Sequence, residues 1–391
     1  MIEKVKLPNE KLQAIKMGGG IRDVMDLATR LEKGGKTIYH LEIGRPDFDS
    51  PQVAKDAAIK AIEDGFVHYA DMRGVEELRA AISEKIKADN AMDVKPENIL
   101  VTVGAASALS TTFLTILNRG DEVIVPTPCY LAYPALCEMS GAKMVPVACR
   151  FENGFQLDPR DLEKAITPAT RMILLNSPNN PSGAAIRRDV LEKIAEIAVK
   201  NDLIVVSDEC YERFFYEGEH VSIGSLPGMD ERTVTICASS KTHSMTGWRV
   251  GYMAMPEWIT PHANRTHLYL NTSPTTFAQY GYTAALKHAE PEVVKMVGEY
   301  RERRDLVVGC LKEMKGLEVA VPEGAFYVFP RIAKTGKTDV EFCSYILEEA
   351  GVAIVPGEAF EAPGFVRIAY CRSKDYLREA MERMKRAVEK L

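Results

Sequence analysis

Short apolar runs alternate along this chain with stretches whose apolar positions recur every three or four residues. ILVTV (99–103), EVIV (122–125), KMVPVA (143–148), RMILL (171–175), LIVV (203–206), TVTICAS (233–239) and VGYMAMP (250–256) read as strands. Helical spacing fills the segments ending at Leu117 and spanning 189–201, with YLAYPALCEMSG (130–141) between two strands. Strands alternating with helices predict an α/β fold with a mainly parallel sheet between helices. The 21 residues 98–118 carry no charge and are long enough to cross a bilayer, but they begin β-branched and switch to helical spacing after Gly104, which predicts a buried strand, a tight turn and a buried helix. From about residue 290 the texture changes to long charged amphipathic helices (291–314, 339–351, 373–391) with strand-like LEVAV (317–321), AFYVFP (325–330) and FVRIAY (365–370) between them, a smaller α+β domain. A helix over 21–34 precedes the sheet and is expected to pack with it.

Composition narrows the function classes. A chain of 391 residues with 46% hydrophobic and 27% charged residues has ample material for a core and is too long for a small binding module. The net charge of −6 argues against a nucleic-acid partner. Eight scattered cysteines form no Cys-x-x-Cys pair and the seven histidines no HExxH, so neither a disulfide framework nor a metal site is expected. The first 20 residues mix both charge signs without an apolar segment, which predicts a cytoplasmic protein rather than a secreted or membrane one. Gly35-Lys36-Thr37 and Gly336-Lys337-Thr338 lack the upstream glycine of a phosphate-binding loop, and Gly18-Gly19-Gly20 lacks dinucleotide spacing.

Four segments carry candidate chemistry, each with an ordinary alternative. In SSKTHSMTGWRVGY, Lys241 follows a strand and Arg249 follows eight residues later, either as two solvated cations or as a Schiff-base lysine and a phosphate-pairing arginine. Asp208 ends the run LIVVSD, where a carboxylate is costly without a cation; it is either a helix cap or the partner of a pyridinium nitrogen, with Tyr211 three residues on placed to reach the ring's phenolic oxygen. NSPNNPSG is either a turn or a stiff loop that holds the Asn180 amide in place. VTVGAASAL puts the Ala105 and Ala106 amides at a helix N-terminus, an anion site, and Tyr130 in PTPCYLAYP offers an aromatic face or ordinary packing.

Together, in this order, the segments resemble the class I/II aminotransferases of the fold-type I pyridoxal 5′-phosphate (PLP) enzymes, over essentially the whole chain. LEIGRPDFDSP resembles that family's G-x-P-D-F-x-x-P segment, HYADMRGVEELR its Y-x-x-x-x-G-x-x-E-L-R, and FVRIAY its arginine-bearing strand. The resemblance implies a large PLP-binding domain over 46–289, a small domain from 1–45 and 290–391, and a homodimer with shared active sites. It implies that Lys241 forms the Schiff base and shuttles the proton, that Asp208 pairs with the pyridine nitrogen, and that Tyr211 and Asn180 bind the phenolic oxygen. Tyr130 would stack on the ring; Arg249, Ala105, Ala106 and Tyr69 of the partner subunit would hold the phosphate; Arg367, Asn180 and Gly44 would grip the substrate carboxylate. Two positions depart from the family pattern: Ala238 stands where Ser or Gly is usual, with Ser240 on the same strand parity as the candidate replacement hydroxyl, and Arg45 stands where Glu is common.

The implied reaction moves an amino group from an L-amino acid to a 2-oxo acid, 2-oxoglutarate by family expectation, with ping-pong kinetics. A PLP-dependent β-lyase on the same scaffold is the alternative enzyme, and a PLP-binding protein without turnover the non-enzyme alternative. Intact Lys241, Asp208 and Arg367 speak against the latter.

Overall fold

The computed structural model describes residues 21–391. The N-terminal segment read as lacking a leader, and Gly18 to Gly20, lie outside the described residues. Twelve strands are formed among those described: β1 (Tyr39–His40), β2 (Ile99–Thr102), β3 (Glu122–Thr127), β4 (Lys143–Ala148), β5 (Thr170–Asn176), β6 (Ile204–Asp208), β7 (Thr233–Ala238), β8 (Gly251–Ala254), β9 (Tyr327–Val328), β10 (Val352–Ala353), β11 (Val355–Pro356) and β12 (Val366–Ala369). Seven of them build one sheet in the order β2-β8-β7-β6-β5-β3-β4. Only β8 runs antiparallel to its neighbours, β2 and β7, so the sheet is mainly parallel, as the alternating pattern predicts.

Burial on both faces explains why these strands read as unbroken apolar runs. In β5, Met172 and Leu174 join a core with Leu109 and Phe113 of the helix Gly104–Ile116. The alternate residues Ile173 and Leu175 face Leu191, Ile194 and Ala198 of the helix Arg188–Lys200. The uncharged stretch 98–118 is the buried strand, turn and helix expected of it, and no helix among the described residues is long and apolar enough to cross a membrane.

A second core gathers the helices Glu290–Lys312, Asp339–Ala350 and Lys374–Val388 around the short strands β1 and β9–β12. The helix Ile21–Lys33 belongs here and not on the large sheet: β1 pairs in parallel with β10, which lays Val24 and Ala28 in one cluster with Ile346 and Val352. LEVAV forms no strand. Its backbone pairs only through Glu318 with Arg331, next to Pro330, which has no N–H to extend a ladder. Residues 210–216 of the middle of the chain also enter this core through Tyr211, Phe214 and Tyr216, so the turn after β6 touches both bodies.

The underside of that turn is held by a buried ionic network. Lys85 pairs with Glu212 and donates to Asn90 Oδ1 at 2.7 Å; the Asn90 amide donates to Glu209 at 2.9 Å and to Glu212 at 2.8 Å; Ser222, Ser207 and His220 complete the Glu209 carboxylate. Burial opposes the Glu212 charge, yet Lys85 and His220 hold its carboxyl down at about 2. Removing one member of a buried pair strands the other charge at a cost of about 3–5 kcal/mol. Lys85→Met is therefore expected to lower the unfolding free energy by about that amount in urea titrations, with Lys85→Met/Glu212→Gln recovering a large part of it.

Candidate active site

The C-terminal ends of β5, β6 and β7 stop side by side, which is where open α/β sheets place ligands. Asn176 stands in register with Asp208, and Asp208 with Ile236. A cavity of about 320 Å³ opens above them, lined by Asn176, Asp208, Lys241, Arg249, Tyr327 and Arg367 among others. The segments singled out from the sequence meet here: Gly44, Ala105, Ala106, Tyr130, Asn180, Tyr211 and Ser240 all line the same cavity.

Asp208 is buried without a cation on it. Tyr133 donates its hydroxyl to Oδ2 at 2.8 Å, and the Cys210 amide donates to Oδ1 at 3.2 Å. Burial pushes the carboxyl above its ordinary range and these two bonds pull it back only partly. Asn176 donates to the Asp208 carbonyl at 2.9 Å and accepts from the Asn180 amide at 2.9 Å, tying the end of β6 to the proline loop, whose two X-Pro bonds are both cis.

Lys241 lies on the one-turn helix Ser239–Thr242 that follows β7. Its Nζ donates to the Gly44 carbonyl at 2.7 Å, and the surrounding protein lowers its pKa below the usual lysine value, with Arg367 and Arg249 adding to the effect. Ser240 faces the cavity from this helical turn and not from the strand, because β7 ends at Ala238, after which the Ser239 amide and hydroxyl both turn to the Val250 carbonyl. Arg249 adopts a left-handed backbone (φ 56°) that returns its guanidinium to the start of the helix Gly104–Ile116, donating to the Thr246 carbonyl at 2.9 Å. A Cβ on Gly104 would come within 2.5 Å of that guanidinium, and the φ of +72° there favours glycine, so the arginine sits close against the helix N-terminus.

Opposite, Arg367 is buried on β12. Nη1 donates to Asn180 Oδ1 at 3.1 Å and Nη2 to the Glu42 carbonyl at 2.6 Å, while Nε has no partner among the described residues. Its guanidinium lies between the rings of Tyr327 and Phe360, at 4.7 and 4.8 Å. The Asn180 side-chain amide also reaches the Tyr211 hydroxyl, at a long 3.5 Å, so one asparagine faces both groups.

Tyr133, Asn176 and Tyr327 are among the lining residues that escaped the sequence reading. Tyr133 was legible, three residues after Tyr130 and therefore on the same face of a helical turn. Asn176 was legible as the residue ending β5 beside Asp208. Tyr327 had no local signal, since it lies on a two-residue strand 116 positions beyond Tyr211. Tyr69 is 86% exposed and lies outside the cavity of its own chain. Arg45 is exposed and nothing in the structure gives it a role.

The family model for aminotransferases of class I and II matches residues 36–384. The chain belongs to the class I and II aminotransferases. It is 42% identical to aromatic-amino-acid aminotransferase 2 of Thermococcus litoralis (94% of this chain, 95% of the relative) and 43% identical to an aspartate aminotransferase of Pyrococcus abyssi over the same shares. The solved aspartate aminotransferase of Thermus thermophilus with maleate superposes with a TM-score of 0.94 at 39% identity, covering 98% of this chain and all of that one. These aminotransferases are PLP-dependent transaminases. The donor set fits that cofactor: a buried carboxylate lacking a cation, a lysine biased toward the free amine, and an arginine beside the exposed amides of a helix N-terminus match a pyridine nitrogen, an aldehyde and a phosphate in turn.

The segment that carries Gly44 and Glu42 also holds a titrating pair. His40 Nδ1 lies 2.7 Å from Glu42, and this bond, with Glu32 on the other ring nitrogen, outweighs burial and raises the imidazole from 6.5 to about 9. A raised pKa stabilises the fold fully below 6.5, and that contribution is lost as pH rises through about 9. Wild-type unfolding free energy is expected to decline across this window, and His40→Asn to flatten the decline.

Proposed function

We propose that this aminotransferase transfers the amino group of an L-amino acid to a 2-oxo acid in two half-reactions at the one cavity, with Lys241 binding the cofactor as a Schiff base and carrying the substrate proton. The single observation behind the reading is that the buried Asp208 and the partly buried Lys241 line one cavity, the acid pushed up and the amine pushed down.

When bound, PLP supplies the electron sink that makes loss of the α-proton feasible. The chain does the rest. Asp208 holds the pyridine nitrogen, and Tyr133 fixes the direction of its carboxylate. Tyr211 and Asn180 donate to the phenolic oxygen, and Tyr130 covers the ring face. Arg249, Ser240 and the amides of Ala105 and Ala106 hold the phosphate; the exposure of Tyr69 supports its reaching the phosphate of a second copy in a homodimer with shared sites. Arg367, Asn180 and Gly44 grip the α-carboxylate, and the unpartnered Nε of Arg367 is a free donor for it. Once the substrate amine has displaced Lys241 from the Schiff base, the freed Lys241 amine is the base that accepts the α-proton and holds it on Nζ.

The acceptor 2-oxoglutarate and the two domains, 46–289 and 1–45 with 290–391, are carried over from the family resemblance. Eight free cysteines support a reducing, cytoplasmic setting.

Lys241→Ala is expected to abolish the pH-dependent visible absorbance of the cofactor-loaded protein and the conversion of its spectrum by amino acids; a pH-dependent band surviving in that variant contradicts the assignment. Initial rates with donor and acceptor varied together are expected to give parallel double-reciprocal lines. Arg367→Ala is expected to raise KM for the amino acid by about 100-fold, since it removes a charge pairing in a desolvated site.

A further inference from the structure

Tyr327, like Asn180, touches both ends of the cavity. Its hydroxyl lies 2.9 Å from the Tyr211 hydroxyl. Its ring covers the Arg367 guanidinium at 4.7 Å. It also presses against the Gly44 backbone, where a Cβ would collide with the phenol, and the Gly44 carbonyl accepts from Lys241. The placement follows from β9 and β12: Tyr327 stands opposite Ala369, two residues from Arg367, the diagonal same-face neighbour in an antiparallel pair. Phe326 beside it packs edge-on against Tyr211 and Phe214, which sets the position of β9 against the turn after β6.

A tyrosine whose job was to fill the core needs no hydroxyl here, and burial makes an unpaired one costly. The Tyr327 hydroxyl has Tyr211 as its hydrogen-bonding partner. If Tyr327 donates to the Tyr211 oxygen, the proton of Tyr211 is left to point at the cavity, and a donor that itself accepts a bond is strengthened. We propose that Tyr327 is a positioning residue with two separable parts: its hydroxyl directs the Tyr211 proton toward the phenolic oxygen of the cofactor, and its ring holds the Arg367 guanidinium in place for the substrate carboxylate. The inference rests on the Lys241 and Arg367 assignments made above and adds to them a link between the cofactor end and the carboxylate end of the cavity.

The two parts come apart in Tyr327→Phe and Tyr327→Leu. Two readouts are taken on cofactor-loaded protein: the pH midpoint of the visible absorbance change, and the dissociation constant of maleate as a non-reacting dicarboxylate. Tyr327→Phe keeps the ring and loses the hydroxyl. Its midpoint is expected to rise by about one pH unit, because a phenolic oxygen that loses donated hydrogen bonding holds the neighbouring imine proton more tightly, while maleate binding stays within about twofold of wild type. Tyr327→Leu is expected to shift the midpoint likewise and to weaken maleate about tenfold through loss of the aromatic face. An unchanged midpoint in Tyr327→Phe overturns the hydroxyl role, and equal maleate binding in the two variants overturns the ring role. A wild-type protein with no pH-dependent band removes the Lys241 assignment and this inference with it, whereas a wild-type band whose midpoint neither variant shifts, with maleate binding equal in both, removes this inference alone.

Discussion

An unpaired carboxylate cannot be kept out of water cheaply, and the position of Asp208 at the end of a fully buried strand makes that cost the constraint from which the rest of the site follows. The residues around it do not neutralise it. Tyr133 and the Cys210 amide give it hydrogen bonds, and Glu209 beside it is turned away and satisfied on the other side of the turn. What fits the remaining deficit is a positive nitrogen brought by a ligand. The same cavity contains the converse case, a lysine whose charge is disfavoured by its surroundings and by Arg249 and Arg367. The two groups fit two functional groups of one cofactor, a pyridine nitrogen and an aldehyde.

The turn after β6 has two sides with different duties. The three-residue repeat of the turn puts Asp208 and Tyr211 toward the cavity and Glu209 and Glu212 toward the Lys85–Asn90–His220 network below. Because that network draws on the helix Glu76–Asn90 and on the 220–222 segment, the cavity floor is fixed from outside the sheet as well as by the strand register. The second core reaches the same turn through Phe214 and Tyr216, so a shift of the C-terminal layer against the sheet would be felt at Tyr211.

Most of the large sheet was legible because its strands are buried on both faces and carry little else but apolar residues, and because loops at their C-terminal ends announce themselves by polar and proline residues. Of the residues that line the cavity, Lys241, Asp208 and Arg367 were legible because each ends, closely follows or interrupts an apolar run, and Asn180 because it sits in a loop marked by two prolines. What the sequence concealed was short-range pairing between distant segments. β9 has two residues, LEVAV keeps only a single bridge, and the partner of the helix Ile21–Lys33 is decided by β1 joining β10 more than 300 positions away. Ser240 was misplaced on the strand because local periodicity does not mark the residue at which β7 gives way to a helical turn. Tyr327 falls in this class too, a residue given meaning only by the strand pairing that sets it beside Arg367.

Lys241, among all lysines of the chain, is the one proposed to make the covalent bond to the cofactor. The most direct measurement is borohydride reduction of the PLP-loaded protein, which fixes a lysine–cofactor C=N bond, followed by digestion and peptide mass mapping. The pyridoxyl label is expected on the peptide containing Lys241 and on no other. Label on a different lysine, or none after reduction of a protein that carries stoichiometric PLP, would contradict it.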